Sequence, residues 1–171
     1  MSEQISRNCI KIDNTIIKTT RHTPGMAEMG YVGFGNELHR FTYTNEIVML
    51  SLLKDFTHVP NLLGYDDNKL TISMSYCGER VNEFNLPTNW IDQMVYILDV
   101  LKDQNISHND IKPTDILVQD GKLMLIDFGW AINIDNQIPD DWPISIGGEY
   151  KYRTKKFNDS YSFLKSIKSI I

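Results

Sequence analysis

The sequence predicts an α+β fold, with strand-like runs near its start and a buried helix in its second half. Two short β-branched runs, residues 9–13 and 15–19, flank the turn pair Asp13-Asn14 and indicate a hairpin. Apolar residues recur at helical spacing between residues 90 and 102, which predicts a buried helix in the second half. The 171 residues, 42% of them hydrophobic, suffice for one compact domain spanning residues 1–171.

The composition of the chain argues against several classes of protein. The net charge of −5 argues against a dedicated nucleic-acid binder. Two cysteines, Cys9 and Cys77, do not indicate a disulfide framework, and no apolar run approaches the roughly 18 residues of a membrane span. The N-terminus does not read as a signal peptide, so we expect a cytoplasmic protein that binds neither nucleic acid nor membrane. The richness in Asn, Ile, Lys and Asp hints at an AT-rich genome such as that of a large DNA virus, which would mean the host cytoplasm.

The most informative stretch is residues 108–129. It carries the carboxylates of Asp110, Asp115 and Asp127, together with Lys112, on two loops. Strand-like runs at residues 116–118 and 123–126 lie between these loops and predict a short hairpin that brings them together. Carboxylates are the oxygen ligands that Mg²⁺ prefers, and a nearby carboxylate can accept a proton from an attacking hydroxyl.

These residues follow the order of a known pair of sequence motifs. His108-Asn109-Asp110, an acidic residue five positions later, and Asp127-Phe128-Gly129 resemble the catalytic loop H-R-D-x-x-x-x-N and the D-F-G element of eukaryotic-type protein kinases. The resemblance implies a two-lobed kinase fold, with a small β-rich N-lobe and a truncated, mainly helical C-lobe, that uses ATP and Mg²⁺. It implies that Asp110 orients the acceptor hydroxyl and takes its proton, and that Lys112 faces the γ-phosphate. Asp115 and Asp127 would bind Mg²⁺.

The N-terminal part carries further matches to this family. Lys18 ends the second strand-like run and resembles the lysine of V-A-I-K, which contacts the α- and β-phosphates. A helix is predicted to begin near Asn45, and Glu46 resembles the glutamate that pairs with the strand lysine. Glu37 is the competing partner for Lys18.

The segment 74–78 resembles the hinge between the lobes, so the N-lobe would cover about residues 1–76 and the C-lobe about 79–171. Met74 would be the gatekeeper, and backbone groups of Ser75 and Cys77 would bond the adenine ring. Leu117 would form the floor beneath it.

The glycine loop of the family has no clear counterpart. Too little chain precedes Cys9 for an ordinary first strand and a glycine loop, so we expect the nucleotide lid to be missing or shortened. The glycine-rich residues 25–35 either fold over the phosphates as a substitute or form a flexible connection to the next helix.

Other departures concern regulation and size. Asn109 replaces the arginine that reads a phosphate on the activation loop, so activation by loop phosphorylation is not expected. Asp115 replaces an asparagine, and its added charge could change metal preference or slow product release. Residues 147–150 resemble the G-T-x-x-Y element, but a basic run at 151–156 stands where Ala-Pro-Glu would follow. The C-lobe is therefore expected to be truncated.

The last segment also resembles the kinase pattern. Asp159 resembles the aspartate of the D-x-x-S helix start, which holds the catalytic-loop backbone. The helix over residues 161–171 has an apolar face that must pack back on the domain, pair with a second copy in a homodimer, or meet a partner.

Three functions remain open from the sequence. The first is an active kinase acting on Ser/Thr hydroxyls of a protein substrate, which Lys112 favours because related small-molecule kinases generally lack it. The second is a small-molecule or lipid kinase, since His-Asn-Asp also occurs in choline- and aminoglycoside-kinase-like enzymes. The third is a pseudokinase that serves as a binding module, motivated by Asp115 and the absent glycine loop.

Overall fold

The computed structural model describes residues 2–6, 8–20, 35–133 and 158–171. The N-terminal part contains five strands and one helix among these residues: β1 (Ser2–Ser6), β2 (Cys9–Ile12), β3 (Thr15–Thr19), α1 (Gly35–Leu52), β4 (Leu62–Asp66) and β5 (Thr71–Ser75). The strands form an antiparallel sheet in the order β1-β2-β3-β5-β4. The predicted β2–β3 hairpin is confirmed, and Asp13 adopts the positive φ of 52° that its turn requires.

The strand β1 corrects a sequence-based expectation. We expected too little chain before Cys9 for an ordinary first strand together with a glycine loop, yet β1 is present and pairs with β2 from Ser2 opposite Ile12 to Ser6 opposite Cys9. Only two residues separate these strands, so five residues suffice for a complete edge strand. All five side chains of β1 are exposed, which explains why the segment shows no apolar alternation.

The start of α1 is a second correction. The helix begins at Gly35, ten positions before the predicted start near Asn45. The polar group Thr44-Asn45-Glu46 resembled a helix start, but it lies in the helix interior. Asn45 and Glu46 turn inward and bond to groups of the second lobe and of β3, so their polarity serves tertiary contacts rather than a cap.

The C-terminal part consists of short strands and two helices in the described residues: β6 (Glu79–Arg80), α2 (Trp90–Asp103), β7 (Ile106–Ser107), β8 (Ile116–Gln119), β9 (Lys122–Leu125), β10 (Ile132–Asn133) and α3 (Asp159–Lys168). The strands β6, β8 and β9 form one small sheet, and β7 pairs with β10. The predicted helix over 90–102 and the predicted β8–β9 hairpin are both confirmed.

A single hydrophobic core joins the two parts. Buried residues of α1 and β5, such as Leu50 and Ile72, belong to the same cluster as Ile97 of α2, Phe128 and Phe163. The predicted α+β fold class is confirmed: a small β-rich lobe and a second lobe share one core. In the described part of the chain, no helix combines the length and the apolar character needed to cross a membrane.

The apolar face of α3 packs back on the domain. Phe163 and Ile167 are fully buried, and Leu164 and Ile170 pack against the same core. Ile171 at the end of the chain is exposed. The first of the three alternatives for this face is therefore the observed one, and pairing with a second copy or a partner through this helix stays a prediction.

Gly78 links the two lobes at a point where no side chain fits. Its φ is +87°, and a Cβ at this position would lie 2.0 Å from the carbonyl oxygen of Val118 on β8. The next residue, Glu79, pairs with Val118 in the sheet. The connection between the lobes therefore lies directly against β8, which only glycine permits.

Substitution of Gly78 by alanine tests this close approach. We expect Gly78→Ala to lower the free energy of unfolding by about 3 kcal/mol, because it adds a backbone clash to the cost of a positive φ. Gly121→Ala is the matched control, since Gly121 also has a positive φ of 76° but open space around it. The control should lose only about 1 kcal/mol. Urea unfolding measures both losses, and equal losses would contradict the close approach.

Candidate active site

A cavity of about 750 Å³ lies between the lobes. The small lobe supplies β1, β2, β3 and Glu46 of α1, and the second lobe supplies residues that follow β5 and flank β8 and β9. All residues predicted from the sequence to bind nucleotide or metal line this cavity: Lys18, Glu46, Met74, Ser75, Cys77, Leu117, Asp115 and Asp127. Lys112 lines it as well, and Asp110 lies beside it in contact with Lys112.

Lys18 connects three elements of the fold. Its Nζ lies 2.9 and 2.7 Å from the two carboxylate oxygens of Glu46 on α1, and 2.7 Å from Oδ1 of Asp127 in the second lobe. The predicted contact between Lys18 and Glu46 is therefore present. The side chain of Glu37, the competing partner, lies outside the described residues. A single ammonium group thus joins β3, α1 and the loop after β9.

Lys18 and Asp127 favour each other's charged forms. Burial disfavours the ammonium of Lys18, but the carboxylates of Asp127 and Glu46 outweigh it and raise the pKa of Lys18 above its usual value. Burial would likewise raise the pKa of Asp127, but Lys18 and Lys112 outweigh burial and hold that pKa well below its usual range. Asp127 is therefore a carboxylate and Lys18 a cation at any physiological pH.

The second cluster of charges is the acidic group predicted from the catalytic-loop motif. Oxygens of Asp110, Asp115 and Asp127 all lie within 4.8 Å of one another. The ammonium of Lys112 lies among them, 2.8 Å from Asp110 Oδ2, 2.9 Å from Asp115 Oδ2 and 3.8 Å from Asp127 Oδ2. Lys112 thus partly neutralises the cluster. The donor set of carboxylate oxygens fits a hard divalent cation such as Mg²⁺.

Asp115 is the unusual member of this cluster. It is 3% exposed, and its second oxygen accepts a hydrogen bond from Thr114 at 3.0 Å. Burial raises the pKa of Asp115 to about 7, an effect that Lys112 opposes and the neighbouring carboxylates strengthen. A bound divalent cation would favour its ionised form, because it adds positive charge beside the carboxylate.

The loop after β9 aims Asp127 into the cavity. Asp127 has φ 69° and ψ 63°, in the left-handed region, and the next residue, Phe128, is fully buried. The ring of Phe128 packs edge-on against His108, with centroids 4.8 Å apart. A left-handed aspartate between a strand and a buried aromatic ring therefore directs its carboxylate to Lys18 while the following ring enters the core.

Asp159 holds the catalytic loop in place, as its position in the sequence predicted. Asp159 is the first residue of α3. Its carboxylate accepts hydrogen bonds from the backbone N–H groups of His108 at 2.7 Å and Asn109 at 2.9 Å. Ser107 Oγ lies 3.2 Å from the same carboxylate. A charged acceptor thus satisfies two backbone donors of the loop that carries Asp110.

The structure adds cavity residues that sequence reasoning missed. Ile16 and Ile126 line the cavity with Leu117, and Ile5 and Cys9 line it from the β1–β2 hairpin. The hairpin contribution was missed because β1 itself was not expected. At the edge of the cavity, the hydroxyl of Tyr76 donates to Glu79, and Lys11 Nζ lies 3.5 Å from the centre of the Tyr76 ring.

Two predicted features lie outside the described residues. One is the glycine-rich segment 25–34, which we considered as a substitute lid. The other is the segment 147–156, which combines the G-T-x-x-Y-like element with the basic run.

Comparison with known proteins agrees with this geometry. The sequence model of the protein kinase domain matches residues 36–155, well over half of the chain. The chain belongs to the protein kinase family. The matched region contains Glu46, the catalytic loop and Asp127-Phe128-Gly129, while the strand that carries Lys18 precedes it.

Several curated proteins resemble this kinase-family chain. A serine/threonine-protein kinase of Acanthamoeba polyphaga mimivirus is 32% identical over a match covering 50% of this chain and 41% of the relative. One from Schizosaccharomyces pombe is 34% identical, covering 55% of this chain and 16% of the relative. One from Bacillus subtilis is 28% identical, covering 68% and 46%. The chain spans less than half the length of each of these relatives.

Removal of Asp159 tests the support of the catalytic loop. We expect Asp159→Ala to lower the free energy of unfolding by about 3 kcal/mol, because two backbone N–H groups lose a charged acceptor. Asn158→Ala is the control, since the Asn158 side chain accepts a single backbone N–H, that of Tyr161, among the described residues, and its loss should cost about 1 kcal/mol. Urea unfolding compares the two, and equal losses would show that Asp159 acts only as a helix residue.

Proposed function

We propose that this chain is an active protein kinase, which transfers the γ-phosphoryl group of ATP to Ser or Thr hydroxyls of a protein substrate with Mg²⁺ as cofactor. The observation that carries the proposal is the contact of Lys18 with both Glu46 and Asp127. This contact supports the proposal because phosphoryl transfer requires such a strand, helix and loop to be held together. Catalysis of this reaction depends mainly on such positioning and on electrostatic stabilisation.

The roles of the charged residues follow from their positions. Asp110 would orient the acceptor hydroxyl and take its proton, because its carboxylate is held by Lys112 at the cleft. Lys112 would then face the transferred phosphoryl group, and Lys18 the α- and β-phosphates. Asp115 and Asp127 would hold the divalent cation. When bound, Mg²⁺ supplies neutralisation of charge on the phosphate oxygens.

The opposite end of the cavity would take the adenine ring. Met74 is a buried residue of β5, and Ser75 and Cys77 follow it at the junction of the lobes. Backbone groups of Ser75 and Cys77 would bond the ring edge. Leu117 on β8 would form the floor and Ile16 on β3 the roof, so the ring would lie between apolar side chains.

A pseudokinase is the second candidate function, and Asp115 is the observation in its favour. A carboxylate with a pKa raised to about 7 replaces the family's neutral asparagine in the metal-binding set. Asp115 adds negative charge where a phosphate must bind. The chain would then bind nucleotide without transferring its phosphoryl group. A small-molecule kinase is a weaker alternative that acceptor screening separates from the first proposal.

Binding of nucleotide is the first test. With Mg²⁺ and ATP at about 100 times the dissociation constant, we expect stabilisation of about 2.7 kcal/mol, seen as a rise in Tm of about 5–10 °C. Asp127→Asn should lose most of this rise, because the cation loses a carboxylate ligand. Asp120→Asn makes the same charge change on the exposed β8–β9 turn and should keep it. Thermal shift with and without Mg²⁺ makes the comparison; a full rise in Asp127→Asn would contradict the metal assignment.

Transfer to a hydroxyl is the second test. Wild-type protein should transfer labelled phosphate from ATP to Ser/Thr peptides, and Asp110→Asn should reduce the rate by about 100-fold or more. Nucleotide binding should survive in Asp110→Asn, because Asp110 contacts Lys112 rather than the nucleotide end of the cavity. Incorporation of label measures the rate. Undiminished transfer in Asp110→Asn would show that another group is the base, and binding without transfer in the wild type would favour the pseudokinase.

A further inference from the structure

Two asparagine side chains donate hydrogen bonds to the backbone that follows Asp127. Among residues 128–131, each carbonyl oxygen accepts a hydrogen bond from a side-chain amide, either of Asn45 or of Asn109. We call these two side chains with the four carbonyls the amide clamp. None of these contacts involves a charged group, and the clamp does not touch the cavity directly.

Asn45 supplies the clamp from the small lobe. Its Nδ2 lies 3.3 Å from the carbonyl oxygen of Phe128, 3.1 Å from that of Gly129 and 2.5 Å from that of Ala131. Asn45 precedes Glu46, which binds Lys18. Helix α1 therefore holds the loop backbone with one residue and the cavity lysine with the next.

Asn109 supplies the clamp from the catalytic loop. Its Nδ2 donates to the carbonyl oxygen of Trp130 at 3.1 Å, and its Oδ1 accepts from Ser107 Oγ at 2.8 Å. It is 1% exposed and precedes Asp110. Its φ of 66° is one that asparagine tolerates better than most residues, so the backbone conformation alone could explain an asparagine here. The amide bond to Trp130 is the feature that this explanation does not cover.

The helix interior gives an independent argument at position 45. Asparagine has a lower helix propensity than alanine, so an asparagine in the middle of α1 is unfavourable for the helix itself. Among the residues that the structure describes, the hydrogen-bond partners of its amide lie in the loop after Asp127. The hydrogen bonds to this loop, and not helix propensity, explain why asparagine occupies position 45.

Kinases commonly order this region by phosphorylation, through new ion pairs between arginine and the phosphate. In this chain the residue before Asp110 is the neutral Asn109, and its side-chain amide donates directly to the loop backbone. We propose that Asn45 and Asn109 are positioning residues that hold residues 128–131 so that Asp127 points at Lys18, and that this arrangement forms without phosphorylation of the chain. The inference rests on the proposed kinase function but concerns how the site is kept assembled.

Hydrogen exchange of the backbone tests the clamp without any need for catalysis. The protein is first treated with a nonspecific phosphatase, and intact mass verifies that it carries no phosphate. Exchange is then followed in a peptide covering residues 127–133, with a peptide of α2 as internal reference. Asn45→Ala and Asn109→Gly should each speed exchange in 127–133 by about tenfold or more, and leave α2 unchanged. Global destabilisation would speed both peptides.

The control variants introduce the same alanine and glycine at neighbouring positions outside the clamp. Thr44→Ala changes an exposed neighbour in α1, and Asn105→Gly changes an exposed asparagine that also has a positive φ, of 54°. Both should exchange like the wild type in residues 127–133. Asn45→Asp, which keeps the size of the side chain but loses its donors, gives a second variant at that position if Asn45→Ala does not fold.

Affinity for ATP gives a readout that a purely structural role would not change. The clamp variants should lose about tenfold in affinity measured with Mg²⁺ and little in EDTA, because only the placement of Asp127 is affected. Slow exchange in both clamp variants, or fast exchange in the phosphatase-treated wild type, would overturn the inference. A wild type that exchanges slowly but binds no ATP would support the clamp and contradict the proposed function.

Discussion

The ammonium group of Lys18 is the contact on which the rest of the site depends. It lies within 2.9 Å of oxygens from Glu46 and Asp127, so it fixes a helix and a distant loop against the sheet at one point. Burying the carboxylate of Glu46 without a cationic partner costs free energy. Loss of Lys18 would therefore destabilise the present position of helix α1. Lys18 therefore couples the position of α1 to that of the loop after β9.

A second set of contacts positions the remaining charges. Asp159 holds the backbone of the catalytic loop, and Lys112 is held between the carboxylates of that loop and Asp127. Lys112 itself belongs to the proposed site, whereas Asp159 constrains the path of the backbone through its hydrogen bonds to two N–H groups.

Much of the site could be predicted from the sequence, because its charged residues stand at short, fixed spacings in the motif around Asp110 and Asp127. Lys18 and Glu46 were found by their places at a strand end and on a helix. The start of α1 was not found, since Asn45 and Glu46 look like a helix cap when their tertiary partners are unknown. β1 was missed because its exposed, polar side chains show no periodicity. The role of Asn45 had no sequence signal, because its partners are carbonyl groups that every residue possesses.

The close approach of Gly78 to Val118 has a mechanical consequence. Glu79 and Arg80 continue from Gly78 as a strand paired with Val118 and Leu117, so the lobe junction and the cavity floor belong to one hydrogen-bonded ladder. The distance from the lobe junction to Leu117 on the cavity wall is therefore set by the backbone hydrogen bonds of one sheet, so a substitution that shifts Glu79 or Arg80 would also shift that wall.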